Sequence, residues 1–224
     1  MLPNIAIDGP AGAGKSTVAR LVAKRLGLTY LDTGAMYRAL TWKALQNSVP
    51  LTQEGLAELV RNTEITFVQD PNHDTPRVFC DNIDVTEHIR SPEVSNHVSL
   101  VSSFAEVRQG LTQLQRKYAA EGGIVMDGRD IGTVVMPNAS FKFFLTASLE
   151  ERSRRRYEEM KKKGIDVDPT TVYREIAARD EADRNRPVAP LTAAEDAVIV
   201  DTTNLSIEQV VDLIVAQCQG GESK

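Results

Sequence analysis

The segment Gly9-Pro10-Ala11-Gly12-Ala13-Gly14-Lys15-Ser16-Thr17 constrains this 224-residue chain more than any other feature. It fits the pattern G-x-x-x-x-G-K-[ST] throughout. The short apolar run from Asn4 to Asp8, bounded by Pro3 and Gly9, predicts a buried strand in front of it. From Lys15 onward, Val18, Leu21, Val22 and Leu26 recur at helical spacing until Gly27 stops the pattern. A glycine-rich loop between strand and helix turns its backbone N–H groups inward around phosphate oxygens. The helix N-terminus adds partial positive charge at the same place. Gly9 to Thr17 is therefore the candidate ATP-binding loop. Lys15 supplies a flexible charge for the β- and γ-phosphates, and Ser16 a hydroxyl for Mg²⁺.

The remaining pattern predicts an α/β fold. Leu28–Asp32, Ile124–Asp127, Phe141–Leu145 and Ala197–Asp201 are four further apolar strand candidates with helices between them. Together with the first they argue for a five-stranded parallel sheet flanked by helices. Thr33 is read as the cap of a helix carrying Met36, Tyr37 and Leu40 on one face, and a further helix is expected from Thr52 to Arg61. Ile65–Val68, Val78–Cys80 and Ile83–Val85 read as short antiparallel strands, the last pair joined at Asp81-Asn82. They form a small β-containing insertion over residues 62–90. Ser91-Pro92 opens a helix, and Val107, Leu111, Leu114 and Tyr118 mark another that ends at Gly122-Gly123. Ser148 with Glu151 reads as a capping box before an arginine-rich helix. Asp168-Pro169 starts a helix stopped by Pro187, and Ser206 with Gln209 opens the last one. Asp70-Pro71-Asn72-His73-Asp74 and Lys161-Lys162-Lys163-Gly164 read as loops.

Composition excludes several classes. Twenty-six basic against 31 acidic residues (net charge −5) and 5% aromatics disfavour nucleic-acid binding and base-stacking platforms. Two cysteines, Cys80 and Cys218, make neither a disulfide framework nor a zinc site. No apolar run approaches the ~18 residues of a membrane span. The sequence enters MLPNIAIDG without a basic leader, so a reduced, cytoplasmic protein is expected, and a monomer is taken as its form. His97 is expected to pack in the core, and Trp42 likewise to be a packing residue.

A phosphate loop alone does not name a reaction. No Asn-Lys-x-Asp base-reading motif supports a GTPase. A small-molecule kinase needs an acceptor site, cations that neutralise two anionic reactants, and a lid against water. Arg38, after the second strand, and Arg129, after the third, stand where open α/β sheets bind ligands. Arg179, Asp183 and Arg186 are spaced to share one helix face, as are Arg152, Arg155 and Arg156. Asp127 ends a strand where a Mg²⁺-side carboxylate is expected, directly or through water. Asp8, just before the loop, has a similar place. A helix or turn cap is the alternative for both.

GPAGAGKST, LDTGAMYR, DGRDIGTVV, ERSRRR and RDEADRNRPVAPL occur in that order over nearly the whole chain. Together they resemble the bacterial cytidylate kinase family, long-insert type. The resemblance implies transfer of the γ-phosphate of ATP to CMP or dCMP. It implies a single nucleoside monophosphate kinase domain: a core over about 1–35, 105–150 and 187–224, a nucleoside-monophosphate-binding region with the insertion over about 36–104, and a helical lid over about 151–186. It implies that Arg38, Arg129 and Arg186 hold the CMP phosphate. Thr33, Arg108 and Asp130 would meet the cytosine edge, and Arg179 and Asp183 the sugar hydroxyls. Lys15, Arg129, Arg152, Arg156 and Arg186 would serve the transfer, with at least one lid arginine reaching the phosphoryl group. The family often has Ser at the position of Thr33, and the hydroxyl is kept here. A kinase for adenylate, thymidylate or shikimate, or an ATP-dependent switch protein, are the rival readings.

Overall fold

The computed structural model describes residues 2–70 and 75–220, so residues 71–74, with His73, lie outside it. Strands β1 (Ile5–Asp8), β2 (Thr29–Asp32), β6 (Ile124–Gly128), β7 (Phe141–Thr146) and β8 (Val198–Asp201) form one parallel sheet in the order β2-β6-β1-β7-β8. The expected five-stranded α/β sheet is thus observed. Strands β3 (Ile65–Val68), β4 (Arg77–Cys80) and β5 (Ile83–Asp84) make the separate antiparallel sheet. Asp81 and Asn82 both adopt positive φ, 49° and 65°, as a tight two-residue hairpin turn requires.

Period-two alternation divides the core. Ile5, Ile7, Val125, Phe143 and Leu145 face α1 (Lys15–Leu26) and α8 (Ile207–Gly220). Ala6, Leu31 and Met126 face the opposite layer, where α2 (Thr33–Gln46), α3 (Gln53–Arg61), α4 (Pro92–Val101) and α5 (Ala105–Ala120) pack with Ile65, Val78 and Cys80 of the small sheet. Each large apolar side chain so buried contributes about 1.5–3 kcal/mol. Both faces of the sheet are covered, and its carboxyl edge is left for chemistry. Register aligns that edge: Asp32 stands beside Asp127, and Asp8 beside Gly128 and Phe144.

Several local readings need correction. Asp32, rather than Thr33, caps α2, its Oδ1 accepting the Ala35 N–H at 3.1 Å. Ser148 caps α6 (Leu149–Lys162), but Glu151 does not complete the box; its carboxylate turns to Arg154 and Arg155. The lysine run belongs mostly to the last turn of that helix rather than to a loop. Helix α7 (Pro169–Asn185) begins at its Asp168 cap and stops before Pro187, as its sequence predicts. Ser206 and Gln209 do exchange both capping bonds. His97 is only half-buried, its Nδ1 2.8 Å from the Glu93 carbonyl, because its neighbours Asn96, Ser99 and Leu100 face outward. Trp42 packs at the core's edge and stacks on His88 at 6.0 Å.

Gly9 joins β1 to the phosphate loop at φ +148°, where an added Cβ would stand 2.0 Å from the Leu145 carbonyl oxygen on β7. Backbone cannot yield there without parting the two strands. Gly9→Ala is expected to destabilise the protein by about 3 kcal/mol or more, checked by urea unfolding.

Candidate active site

The phosphate loop has the expected build. Gly12 and Gly14 take positive φ, 76° and 85°, and no side chain caps α1, so its first N–H groups remain available to a ligand. Lys15 folds back over the loop, its Nζ donating to the Pro10 carbonyl at 2.7 Å. Burial pushes its ammonium well below the ordinary lysine range, and Arg129 adds to the effect. Across the loop the Ser16 hydroxyl donates to Asp127 Oδ2 at 2.8 Å. The other carboxylate oxygen accepts the Tyr30 hydroxyl at 2.9 Å. Burial raises the pKa of Asp127, and the nearby Asp32 adds to that. A buried carboxylate that the nearby Lys15 offsets only in part, beside a hydroxyl, is an oxygen donor set suited to a hard divalent cation. The described residues contain no cluster of three or more His, Cys, Asp and Glu side chains that could cage a metal. The set therefore fits an ion that takes its remaining ligands from substrate phosphates and water.

Arginines converge on the same edge. Arg38, on α2, donates to the Ser95 hydroxyl at 2.9 Å and the Ile89 carbonyl at 3.3 Å. Arg129 follows β6 and donates through Nε to Asp183 Oδ2 at 2.8 Å. Arg179, one turn earlier on α7, is pushed down to about 10 by burial and by the positive charges of Arg129, Arg38 and Arg156. Its Nε is buried with no hydrogen-bond partner among the described residues. Arg38 is lowered by burial and by Arg90, Arg156 and Arg129. Lys15, Arg38, Arg129, Arg156 and Arg179 thus share one field. Burial alone would raise Asp183, but Arg129, Arg179 and Arg186 outweigh it and hold its carboxyl below the usual range.

Next to this cluster lies a second, more enclosed one. Arg108 Nη2 donates to Asp130 Oδ2 at 2.6 Å, both side chains being buried. The Arg108 guanidinium also sits 5.4 Å over the Tyr37 ring. Arg186 Nη2 stands 3.7 Å from Asp130 Oδ1, and its Nη1 3.6 Å from Asp183. Thr33 donates its hydroxyl to the Asp127 carbonyl at 2.6 Å, which leaves its oxygen lone pairs free to accept. Arg108 Nε and Arg186 Nη2 are buried without hydrogen-bond partners among the described residues.

The three arginines expected on one face of α6 go to three places. Arg152 is buried, with Nε on the Ala147 carbonyl (2.9 Å), Nη1 on the loop carbonyl of Ala11 (3.0 Å) and Nη2 on Asp180 (2.7 Å). Three of its five N–H donors are thus engaged by protein, and in this structure Arg152 braces the phosphate loop against α7. Arg155 ties α6 to Thr202 after β8. Arg156 is 39% exposed, bonded only to Glu159 on its own helix and within the field of the cation cluster.

Sequence reasoning singled out neither Tyr30 nor Asp180, and left Asp8 and Lys142 without an assigned partner. Asp8 accepts the N–H groups of Ile131 and Gly132 at 2.8 and 2.7 Å, and burial pushes its carboxyl up to about 6. A polar residue inside an apolar strand was the available signal for Lys142 and Asp8. For Tyr30 and Asp180, whose partners lie 97 and 28 positions away, spacing carried none.

The family model for cytidylate kinase matches residues 5–220. The chain belongs to the cytidylate kinase family. It is 54% identical over 213 residues to the cytidylate kinase of Desulfitobacterium hafniense (strain Y51), covering 95% of this chain and 90% of that one. It is 53% identical over 213 residues to the cytidylate kinase of Bacillus subtilis (strain 168), covering 95% and 94%. Among solved structures, a gluconokinase from Sinorhizobium meliloti 1021 superposes with a TM-score of 0.52 at 13% identity, covering 97% of this chain and 92% of that one. A shikimate kinase from Bacteroides thetaiotaomicron does so at 0.50 and 12% identity, covering 98% and 99%. At such identities the structural likeness establishes the fold alone. Within the cytidylate kinase family frame, the arginines expected from motif order do gather at one sheet edge.

The Arg152–Asp180 pair joins the phosphate loop to α7 through buried charge. Asp180→Ala leaves Arg152 uncompensated and is expected to cost about 3–5 kcal/mol in urea unfolding. Arg152→Met combined with Asp180→Leu is expected to recover more than half of that loss.

Proposed function

We propose that this protein, a CMP kinase by its family, moves the γ-phosphate of ATP onto the 5′-phosphate of CMP or dCMP. The observation that carries the reading is the incompletely neutralised field of Lys15, Arg38, Arg129, Arg156 and Arg179, with the buried Arg179 Nε lacking a partner among the described residues. Like charges held this close favour a multiply charged anion between them. In this reading residues 9–17 cradle the ATP phosphates, and Lys15 bridges toward the γ-phosphoryl group. Ser16 and Asp127 would hold Mg²⁺, which when bound neutralises the β- and γ-oxygens.

Arg38, Arg129 and Arg186 serve the acceptor phosphate, and Arg179 and Asp183 the sugar hydroxyls. The base end suits cytosine. Its exocyclic amine is a donor, and Thr33 and Asp130 offer acceptors. Its ring nitrogen and carbonyl are acceptors, and Arg108 offers donors. A phosphate oxygen of CMP forms the new bond to the γ-phosphorus as the bond to the β,γ-bridging oxygen breaks, leaving ADP. A phosphate dianion needs no strong base, so the chain contributes positioning and charge neutralisation. Arg156, partly exposed and paired among the described residues with Glu159 on its own helix, is the lid arginine suited to the moving group. Helices α6 and α7 act as that lid, residues 36–104 as the acceptor-binding region, and the rest as core. The enzyme works as a cytoplasmic monomer on small nucleotides. Among the described residues no helix is long and apolar enough to cross a membrane.

ADP release coupled to CMP, dCMP, UMP, AMP and dTMP in turn tests the substrate. CMP and dCMP should accelerate ATP consumption, and a chain on which no pyrimidine monophosphate does so is not the enzyme described. Lys15→Ala and Arg156→Ala should each lower kcat about 10³-fold with unchanged circular dichroism. Asp130→Ala should raise the KM for CMP about 10- to 150-fold while altering that for ATP far less.

A further inference from the structure

The residue in front of a helical turn is where an aspartate ordinarily caps, its carboxylate accepting the free N–H groups of the first turn. Asp130 occupies that place before the turn Ile131–Val135, yet its side chain makes no capping bond. Its oxygens face Arg108 Nη2 at 2.6 Å and Arg186 Nη2 at 3.7 Å instead. The Gly132 N–H, at the second position of the turn where a capping side chain accepts, donates instead at 2.7 Å to Asp8 at the end of β1, which also takes the Ile131 N–H at 2.8 Å. Asp8 is buried at 4% exposure, so bulk water cannot replace it.

The fit around this remote cap is close. A Cβ on Gly132 would stand 3.2 Å from Lys142 Cδ and 3.4 Å from Asp8 Oδ2. Lys142 is itself anchored to the Pro137 carbonyl and the Asp196 carboxylate. The turn is thus clamped between two strands, β1 and β7, neither of which carries a residue of the base end.

We propose that Asp8 is a positioning residue for cytosine recognition: by capping the 131–135 turn from β1 it releases the Asp130 carboxylate to the base end of the acceptor site. Without Asp8 the two N–H groups need another acceptor. For Gly132 the local one is the Asp130 side chain, and capping its own turn withdraws it from Arg108 and Arg186. Because Asp8 leads directly into the phosphate loop, the same two bonds fix the base-selecting end relative to the donor nucleotide. The inference rests on the base-reading role given to Asp130 above.

A double-mutant cycle tests it. Asp8→Asn, Asp8→Ala, Asp130→Ala and the two combinations are compared for the KM of CMP and of ATP and for the CMP over UMP ratio of kcat/KM. Asparagine keeps one acceptor oxygen but sets an NH₂ group against the second N–H. Each Asp8 variant should raise the KM for CMP about tenfold or more and lower the CMP over UMP ratio. In the Asp130→Ala background the same change should alter both by no more than about twofold, since the carboxylate it positions is gone. A role confined to stability would raise both KM values together and add in full to Asp130→Ala, and that result overturns the proposal. If Asp130→Ala shifts CMP recognition and the Asp8 variants do not, the base-reading role stands and the positioning role falls. If Asp130→Ala itself leaves CMP recognition intact, both fall. Should Asp8→Ala fail to fold, the asparagine cycle decides.

Discussion

Mutual repulsion among Lys15, Arg38, Arg129, Arg156 and Arg179 is the constraint around which this molecule is arranged. Cations brought together at a partly buried edge must be held by something stiffer than themselves. Here the holding is done by a sheet covered on both faces and by carboxylates placed between the cations. Asp183 takes Arg129 at 2.8 Å and lies near Arg186, while Asp130 takes Arg108. The pairing is incomplete, and the buried Nε atoms of Arg108 and Arg179 lack partners among the described residues. A site built this way is costly while empty and is relieved by a phosphorylated ligand. The interactions that would bind the reactants are therefore the ones that stability alone would have removed.

The carboxylates divide their labour by position along the sheet edge. Asp127 accepts from Ser16 beside the phosphate loop, with Tyr30 holding its second oxygen. Asp130 and Asp183 pair with Arg108, Arg129 and Arg186. Asp8 secures backbone N–H groups, and Asp180 secures Arg152. Arg152 belongs with this supporting pair. Its guanidinium links the Ala11 carbonyl of the phosphate loop to Asp180 on α7, the helix that also carries Arg179 and Asp183. The phosphate loop and α7 are thereby joined through buried charge.

Much of this was legible in the residues. The phosphate loop declared itself because its glycines, lysine and hydroxyl act within nine consecutive positions, and the strand before it and helix after it obey local periodicity. Most caps were equally local. The small sheet followed from three short apolar runs and the Asp81-Asn82 turn. What escaped was set at long range. Arg152, Arg155 and Arg156 share a helix face by spacing, yet Arg152 found Asp180, Arg155 found Thr202, and Arg156 stayed partly exposed beside Glu159. Thr33 had the right chemistry for a cap, but Asp32 took that place and freed the threonine hydroxyl for the Asp127 carbonyl.

By itself the sequence determined the strand and helix inventory, the phosphate loop and the set of arginines and carboxylates available for chemistry. These depend on side-chain periodicity and on bonds between near neighbours, which the order of residues encodes directly. Only the tertiary structure decided which carboxylate answers which cation, which arginine is spent on bracing the loop, and that Asp8 caps a turn 123 positions away. Those outcomes depend on strand order and register: β1 lies between β6 and β7, so the end of the first strand meets the turn that follows the sixth. No local pattern carries that information, because hydrogen bonds and charge pairs are satisfied by whatever the packed sheet brings within about 3 Å.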